Sequence, residues 1–407
     1  MRARHVAHAV PAFPVYSAAF LSPSELLLGG GGGSSKSGIK NKLRLYRVDE
    51  FLSMKLADEL ELDAGEDAPM SMAVDPSTRI LVCGINSTPE KMESGQNQNC
   101  RLYAVGGTQI KPLTALGTLK SDDPEDYQRV TTVSPDGRYV AVAGTHDLTV
   151  LGLPSLAPIG TRLEKDEIYD VAFSPTSVIV ATTANLQIYA LPPGDDDESE
   201  KQTRASKGKG KGTDKGAPAA PLKHLRTVER PKLPGGEPQS AFRAARFNPQ
   251  DARAFYTVVN TAPARGKGAR GAKAAPRRAY VVKWDAGAWA VDKVKKVGDK
   301  GVTSFDVSAN GRWLAYGSSD FTIGLLDAQT LTPLLSILKA HEFPSTTLRF
   351  SPSSRLLVSG SADNTVRMIA VPETLGDSAW GMYFVLLMAV FVVLFALAVQ
   401  LFVVGAL

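Results

Sequence analysis

Cysteine is nearly absent: Cys83 and Cys100 are the only two in 407 residues. Two thiols are too few for a disulfide framework or a zinc ribbon, and they fit a reducing compartment. Also missing is any Ser-His-Asp or Cys-His set, and any cluster with metal-ligand spacing. Bond-breaking chemistry by the familiar side-chain groupings therefore has no foothold. A broad basic surface is missing too. The net charge of +5 is smaller than the six cations Arg265, Lys267, Arg270, Lys273, Arg277 and Arg278, which share one acid-free stretch. The positive surplus belongs to one loop, and nucleic acid is excluded as a partner of the body of the protein.

Charge vanishes altogether from Ser378 to Leu407, where Gln400 is the only strongly polar residue in WGMYFVLLMAVFVVLFALAVQLFVVGAL. A bilayer core is crossed by about 20 apolar residues, so a single transmembrane helix is expected over 380–405, after a linker at 373–379. Trp380 and Tyr383 stand where an interfacial aromatic belt lies. The run reaches the last residue of the sequence, which predicts a tail-anchored protein with its bulk in the cytosol. No secretory signal is expected at the other end, because His5, His8, Pro11 and Pro14 interrupt any apolar core there.

What is present is ordinary for a globular chain. With 43% hydrophobic and 21% charged residues, a disordered or collagen-like protein is excluded. The 36 glycines and 26 prolines favour turns over long helices. Those turns recur. A short strand, a Ser-Pro-like turn and an apolar strand with small residues appear as AFLSPSELLLGGG, AVDPSTRILVCG, TVSPDGRYVAVAG, AFSPTSVIVATTA, RFNPQDARAFYTVV, DVSANGRWLAYGS and RFSPSSRLLVSGS. The turn residues Pro23, Pro76, Pro135, Pro175, Pro249, Ala309 and Pro352 are 40 to 74 residues apart. Such spacing points to an all-β repeat array.

The last repeat, LKAHEFPSTTLRFSPSSRLLVSGSADNTVRMIAV, looks like a WD repeat. His341 takes the place of that family's histidine, Asp363 that of its turn aspartate, and Ile369 stands where tryptophan is usual. The two polar residues read as a structural pair within one blade. The expected fold is an all-β, seven-bladed WD-type propeller over 1–372, with four strands a to d per blade counted from the centre. The last blade lacks an outer strand, and His5–Val10 is free to supply it and so close the ring. Insertions at Gly29–Asn41, 86–100 and 261–278 fall between strands b and c of blades 1, 2 and 5, on one face. The low-complexity insertion at 194–221 follows strand c of blade 4 and hangs from the opposite face, where it is expected to be disordered.

The glycine run GGGGGSSKSGIKN is the most unusual feature. Gly33 and Gly38 have the spacing of a phosphate-binding loop, but Ile39 fills the lysine position and LRLYRV continues as a strand, so nucleotide binding is rejected. A projecting loop whose unhindered backbone carbonyls wrap a cation is the sharper reading, since hard monovalent ions are held that way in channel filters. Ordered so, the loop would present Ile39 and Asn41 at an apolar-plus-amide tip.

This loop, at the head of a degenerate seven-bladed propeller with a C-terminal apolar run, resembles the Sec-twelve-like exchange factors, which include the prolactin regulatory element-binding proteins. The resemblance implies a guanine-nucleotide exchange factor that opens a Sar-type small GTPase at the endoplasmic reticulum membrane and so starts COPII coat assembly. It implies a potassium ion on the carbonyls of Gly30, Gly31, Gly32, Gly33, Ser34 and Ser35. Gly38, Ile39, Lys40 and Asn41 would then act on the GTPase, with Pro69 on the same face. COPII exit-site proteins are further partners on this reading. The alternative is a membrane-tethered scaffold without exchange activity.

Overall fold

Each repeat turns over residues that cannot continue a strand. Pro23 falls between Val15–Ser22 and Glu25–Gly30, Pro76 between Ser71–Asp75 and Ile80–Gly84, and the other five turn residues occupy the same place in their repeats. The structure, a computed structural model, describes residues 4–34, 37–107, 109–121, 123, 125–192, 221–234, 239–261, 277–373, 375 and 385–396. Its strands form seven separate four-stranded antiparallel sheets, the blades of a propeller. Ala309, the one turn residue that is not proline, lies between Val302–Val307 and Trp313–Ser318 of blade 6.

Burial follows strand order. The b strands are mostly buried, and Ile80–Gly84 and Trp313–Ser318 are so along their whole length. Small and β-branched residues serve them because both faces pack against neighbouring blades. The d strands are polar and mostly open, as in Met54–Glu61 and Ala290–Gly298. Apolar clusters fill the seams between consecutive blades. One joins Leu27 and Leu43 of blade 1 to Leu81 and Tyr103 of blade 2. Another joins Phe20 and Leu28 of blade 1 to Val358 and Met368 of blade 7. Each fully buried leucine contributes about 1.5–3 kcal/mol, so the seams are what hold the ring together.

The ring closes as the sequence leads one to expect. His5–Ala9 pairs antiparallel with Thr365–Ala370, in a register that sets His5 opposite Ile369 and Ala9 opposite Thr365. Just beyond, Val10 N–H donates to the Asn364 carbonyl at 2.9 Å, and Phe13 N–H donates to Asn364 Oδ1 at 2.9 Å. The outer strand of the last blade thus comes from the N-terminus, and no edge of that sheet's third strand is left open.

The b–c insertions lie where the repeat pattern puts them. Residues 31–41 link Glu25–Gly30 to Lys42–Val48, and 85–99, with the short helix Pro89–Glu93, link Ile80–Gly84 to Cys100–Gly106. Most of the expected insertions at 194–221 and 261–278 lies outside the described residues; their flanks join Asn185–Ala190 to His224–Glu229 and Asp251–Thr261 to Ala279–Asp285. The chain divides into two compact units, Met1–Val371 and Pro372–Leu407. In the second, residues 385–396 are helical, and the rest of the expected span over 380–405 lies outside the described residues. Among the described residues no helix is long and apolar enough to cross a membrane.

Candidate functional site

The glycine run starts inside a strand and ends in a clasp. Gly30 is still in the ladder, opposite Lys42, and Gly31 N–H donates to the Pro14 carbonyl at 3.0 Å. Gly31 then leaves the strand at φ +141°, and a Cβ there would lie 2.2 Å from Asn41 Oδ1. No other residue type fits that position, for both reasons. Asn41 answers from the far end of the loop. Its Oδ1 accepts from Gly33 N–H at 2.9 Å, and its Nδ2 donates to the Gly33 carbonyl at 2.9 Å and to the Glu66 carbonyl at 2.7 Å. The amide therefore ties the loop's two ends together and pins both to the d–a connection between blades 1 and 2.

Asn41 is consequently not at an exposed tip beside Ile39. It is 8% exposed, at the loop's base. A side-chain amide has four hydrogen-bonding sites, and here three are spent inside the fold. The outer part of the loop carries Ser37, Gly38 and Ile39: Gly38 sits at φ +77° with open space around it, and Ile39 is half-buried. Lys40 Nζ lies 2.5 Å from Glu61 Oε1, an exposed pair of small energetic weight. Beneath it, Lys42 and Arg44 reach across to Glu59, with Arg44 Nε at 2.7 Å, and lock the c and d strands of blade 1. Pro69, in the same d–a connection, is buried and offers no exposed contact: its carbonyl accepts from Ser17 Oγ at 2.5 Å, and its ring lies against Gly29. Ser35 falls outside the described residues.

Three residues that bear on the loop had no signal in the sequence. Glu66, 4% exposed, accepts both prongs of Arg101 at 2.7 Å each. Burial disfavours the charge on Arg101, but the Glu66 carboxylate outweighs it and raises the guanidinium's pKa. Asp67 stands under the turn itself; its Oδ1 accepts from Ala68 N–H at 2.7 Å, and its carboxylate also accepts from Ser34 N–H. Burial raises the pKa of Asp67, and Glu125 adds to that rise. Among the described residues no lysine or arginine pairs with it. The second insertion joins the same network, with Asp67 N–H donating to the Asn86 carbonyl at 3.1 Å.

A hard cation suits this donor set. Asp67 and the carbonyls of the Gly31–Ser34 turn are oxygen ligands, and a half-buried carboxylate without a cationic neighbour favours an added positive charge. The expected ring of six carbonyls is altered at two points: Gly30 belongs to the sheet ladder, and the Gly33 carbonyl already accepts from Asn41. Among the described residues no group of three or more His, Cys, Asp or Glu side chains could hold a metal.

The WD features of blade 7 are structural. His341 is buried, with Nδ1 2.8 Å from Thr365 Oγ1 and Nε2 2.9 Å from Ser359 Oγ. Asp363 accepts from Thr365 N–H at 2.9 Å and Glu342 N–H at 2.7 Å, and its Oδ2 lies 3.5 Å from His341 Nδ1. Burial pushes the imidazole's pKa down to about 4, although Asp363 opposes the change. A neutral histidine that cross-links two strands and a turn does structural work.

Comparison with known proteins agrees with this reading. The family model "WD domain, G-beta repeat" matches residues 293–327 and 332–369. The guanine nucleotide-exchange factor SEC12 of Candida glabrata is 24% identical over 375 residues, covering 90% of this chain and 72% of that protein. SEC12-like protein 2 of Arabidopsis thaliana is 25% identical over 353 residues, 84% of this chain and 75% of its own length. The chain thus carries WD repeats over those residues and is similar along most of its length to Sec12-like proteins. It also matches the putative guanine nucleotide-exchange factor SED4 of Candida glabrata at 24% identity over 379 residues, but spans only 32% of that relative's length.

Proposed function

We propose that this chain is a guanine-nucleotide exchange factor for a small GTPase of the Sar type, working at the endoplasmic reticulum membrane to start COPII coat assembly. The observation that carries this reading is the clasped glycine loop. Its residues Ser37 and Gly38 are exposed, and its base is fixed by Asn41 to both Gly33 and Glu66. The relatives named above as exchange factors support the same reading at 24% identity.

Such a loop needs no acid or base. An exchange factor binds the nucleotide-free, opened GTPase more tightly than the loaded one, and the equilibrium shifts by that difference in affinity. A pre-ordered loop is suited to this because little conformational entropy is lost when it engages. Gly38 and Ile39 would make the contact, and Asn41 would position them from below. Potassium is proposed as the loop's ion, held by Asp67 and carbonyls of the Gly31–Ser34 turn; when bound it supplies a positive charge that draws these oxygens together. The apolar run around helical residues 385–396 supports anchoring of the chain in the membrane through 380–405.

The test is release of fluorescent GDP from a Sar-type GTPase by the full chain in liposomes, with potassium or with sodium. Acceleration that falls when Ile39 is changed to Ala supports the reading. A folded chain that binds the GTPase without accelerating release overturns it in favour of a membrane-tethered scaffold.

A further inference from the structure

The seven a strands enclose an axial channel, and arginines converge on it from three blades. The channel holds a cavity of about 140 Å³ whose wall includes Arg129, Arg243, Arg246 and Arg349. A second cavity of about 410 Å³, at the a–b turns, shares Arg246 and Arg349 in its wall. This channel is separate from the glycine loop and plays no part in the exchange reading.

The carboxylates present do not use up these cations. Arg246 is taken: its Nη1 donates to Asp170 and, at 2.7 Å, to the Ala245 carbonyl. Arg129 Nη1 lies 2.5 Å from Glu167, yet its Nε is buried with no hydrogen-bond partner. Arg243 lies over the Tyr169 ring at 5.2 Å and touches no carboxylate among the described residues. Arg349 is only weakly held. Its Nη1 has one long bond, 3.3 Å to the neighbouring Leu348 carbonyl, and stands 3.9 Å from Asp306, whose other oxygen accepts from Phe350 N–H at 2.8 Å. Burial lowers the pKa of Arg349 and the nearby Arg246 lowers it further, while Asp306 opposes both. The side chains of Arg349 and Arg246 stay 31% and 22% exposed, so their spare donors face the channel and can take an added acceptor.

We propose that the axial channel is a binding site for a compact phosphate-type oxyanion, held chiefly by Arg349 and Arg243 with Arg246 beside them. A tetrahedral oxyanion offers acceptors in every direction, which suits guanidinium forks arriving from different blades; a carboxylate offers only two oxygens in one plane. The cavity of about 140 Å³ admits an anion of inorganic phosphate or pyrophosphate size. Because the arginines come from blades 5 and 7, with Arg129 from the edge of blade 3, the anion acts as a rivet across the ring.

The experiment uses the full chain in detergent micelles, with pyrophosphate as probe and sodium chloride at matched ionic strength as control. Pyrophosphate is expected to raise the melting temperature with the logarithm of its concentration and to give a saturable one-site calorimetric isotherm. Arg349→Gln and Arg243→Gln are each expected to weaken binding by about 10-fold or more, as for loss of a charge-assisted hydrogen bond. Arg243 has no carboxylate partner to strand, so Arg243→Gln stays informative if Arg349→Gln fails to fold. Equal pyrophosphate shifts in wild type and Arg243→Gln, or an equal shift from sodium chloride, overturns the proposal. Saturable binding of inositol hexakisphosphate without binding of pyrophosphate would also overturn the assignment to a compact oxyanion.

Discussion

Asn41 and Gly33 are joined by two hydrogen bonds that run in opposite directions, each 2.9 Å long. The side chain imitates a strand partner and closes a loop that has no sheet of its own. On the proposed function, this position holds the loop's shape, and Asn41→Asp separates shape from size. It keeps the volume, removes the Nδ2 donor and sets a carboxylate against the carbonyls of Gly33 and Glu66. A cost of about 1–3 kcal/mol per buried acceptor left unpaired is expected. Nucleotide release by the GTPase should fall to the unassisted rate while the far-ultraviolet circular dichroism stays that of a propeller. Full activity in Asn41→Asp would refute the positioning role.

The Glu66–Arg101 pair lies one bond further back. Breaking a buried pair from one side costs about 3–5 kcal/mol, because the remaining charge stays unpaired. Arg101→Met and Glu66→Gln should each lower the melting temperature and loosen the loop, seen as faster amide exchange at Gly33. The double variant should lose much less than the two single losses combined. Additive losses would mean that the pair does not act as a unit.

Two glycines in the same loop should respond differently to alanine. At Gly31 a Cβ would meet Asn41 Oδ1 at 2.2 Å, so Gly31→Ala must displace the clasp and should abolish exchange. At Gly38 the space is open and only the left-handed backbone at φ +77° resists, a cost of about 1–2 kcal/mol. Gly38→Ala should keep the fold and part of the activity. Equal activities for the two variants, measured by GDP release, would contradict this account.

His341 predicts an acid-sensitive propeller. Its pKa is about 4 in the fold against 6.5 for the free side chain. Between those values the unfolded chain takes up a proton that the folded protein refuses, so stability falls as pH drops from 6.5 towards 4. The full difference is roughly 3 kcal/mol at about 1.4 kcal/mol per pH unit. His5, lowered by burial and by Arg367, contributes in the same direction. Melting temperatures of wild type and His341→Gln should therefore converge on acidification; parallel curves would rule out the imidazole as the cause.

Much of the fold could be read from residue types because each signal was local. Pro23, Pro76 and Pro135 announce a turn by their own chemistry, and AFLSPSELLLGG declares its strands by short apolar runs and small residues. Even ring closure was legible, since a blade short of one strand leaves a debt that only His5–Val10 could settle. The site was legible in position but not in detail. Asn41 finds Glu66 25 positions away, and Glu66 finds Arg101 35 positions away, with no periodicity linking them. Which way an amide points depends on what three separate loops leave unsatisfied, and that is decided only when blades 1 and 2 meet. The arginines of the axis were invisible for the same reason: Arg246 and Arg349 come close only in a closed ring.

Closure by the first strand also sets a clock on synthesis. His5 finds Arg367 362 positions later. At roughly 5–20 residues per second, a ribosome takes about 20–70 s to make that partner. Six blades can stack in that interval, but the first and last seams stay open, with Phe20 and Leu28 facing water instead of Val358 and Met368. The nascent protein is thus an open arc with an unpaired strand at its leading end, a client for chaperones until the seventh blade emerges. Translation interrupted before Thr365 yields an arc that has nothing to close on.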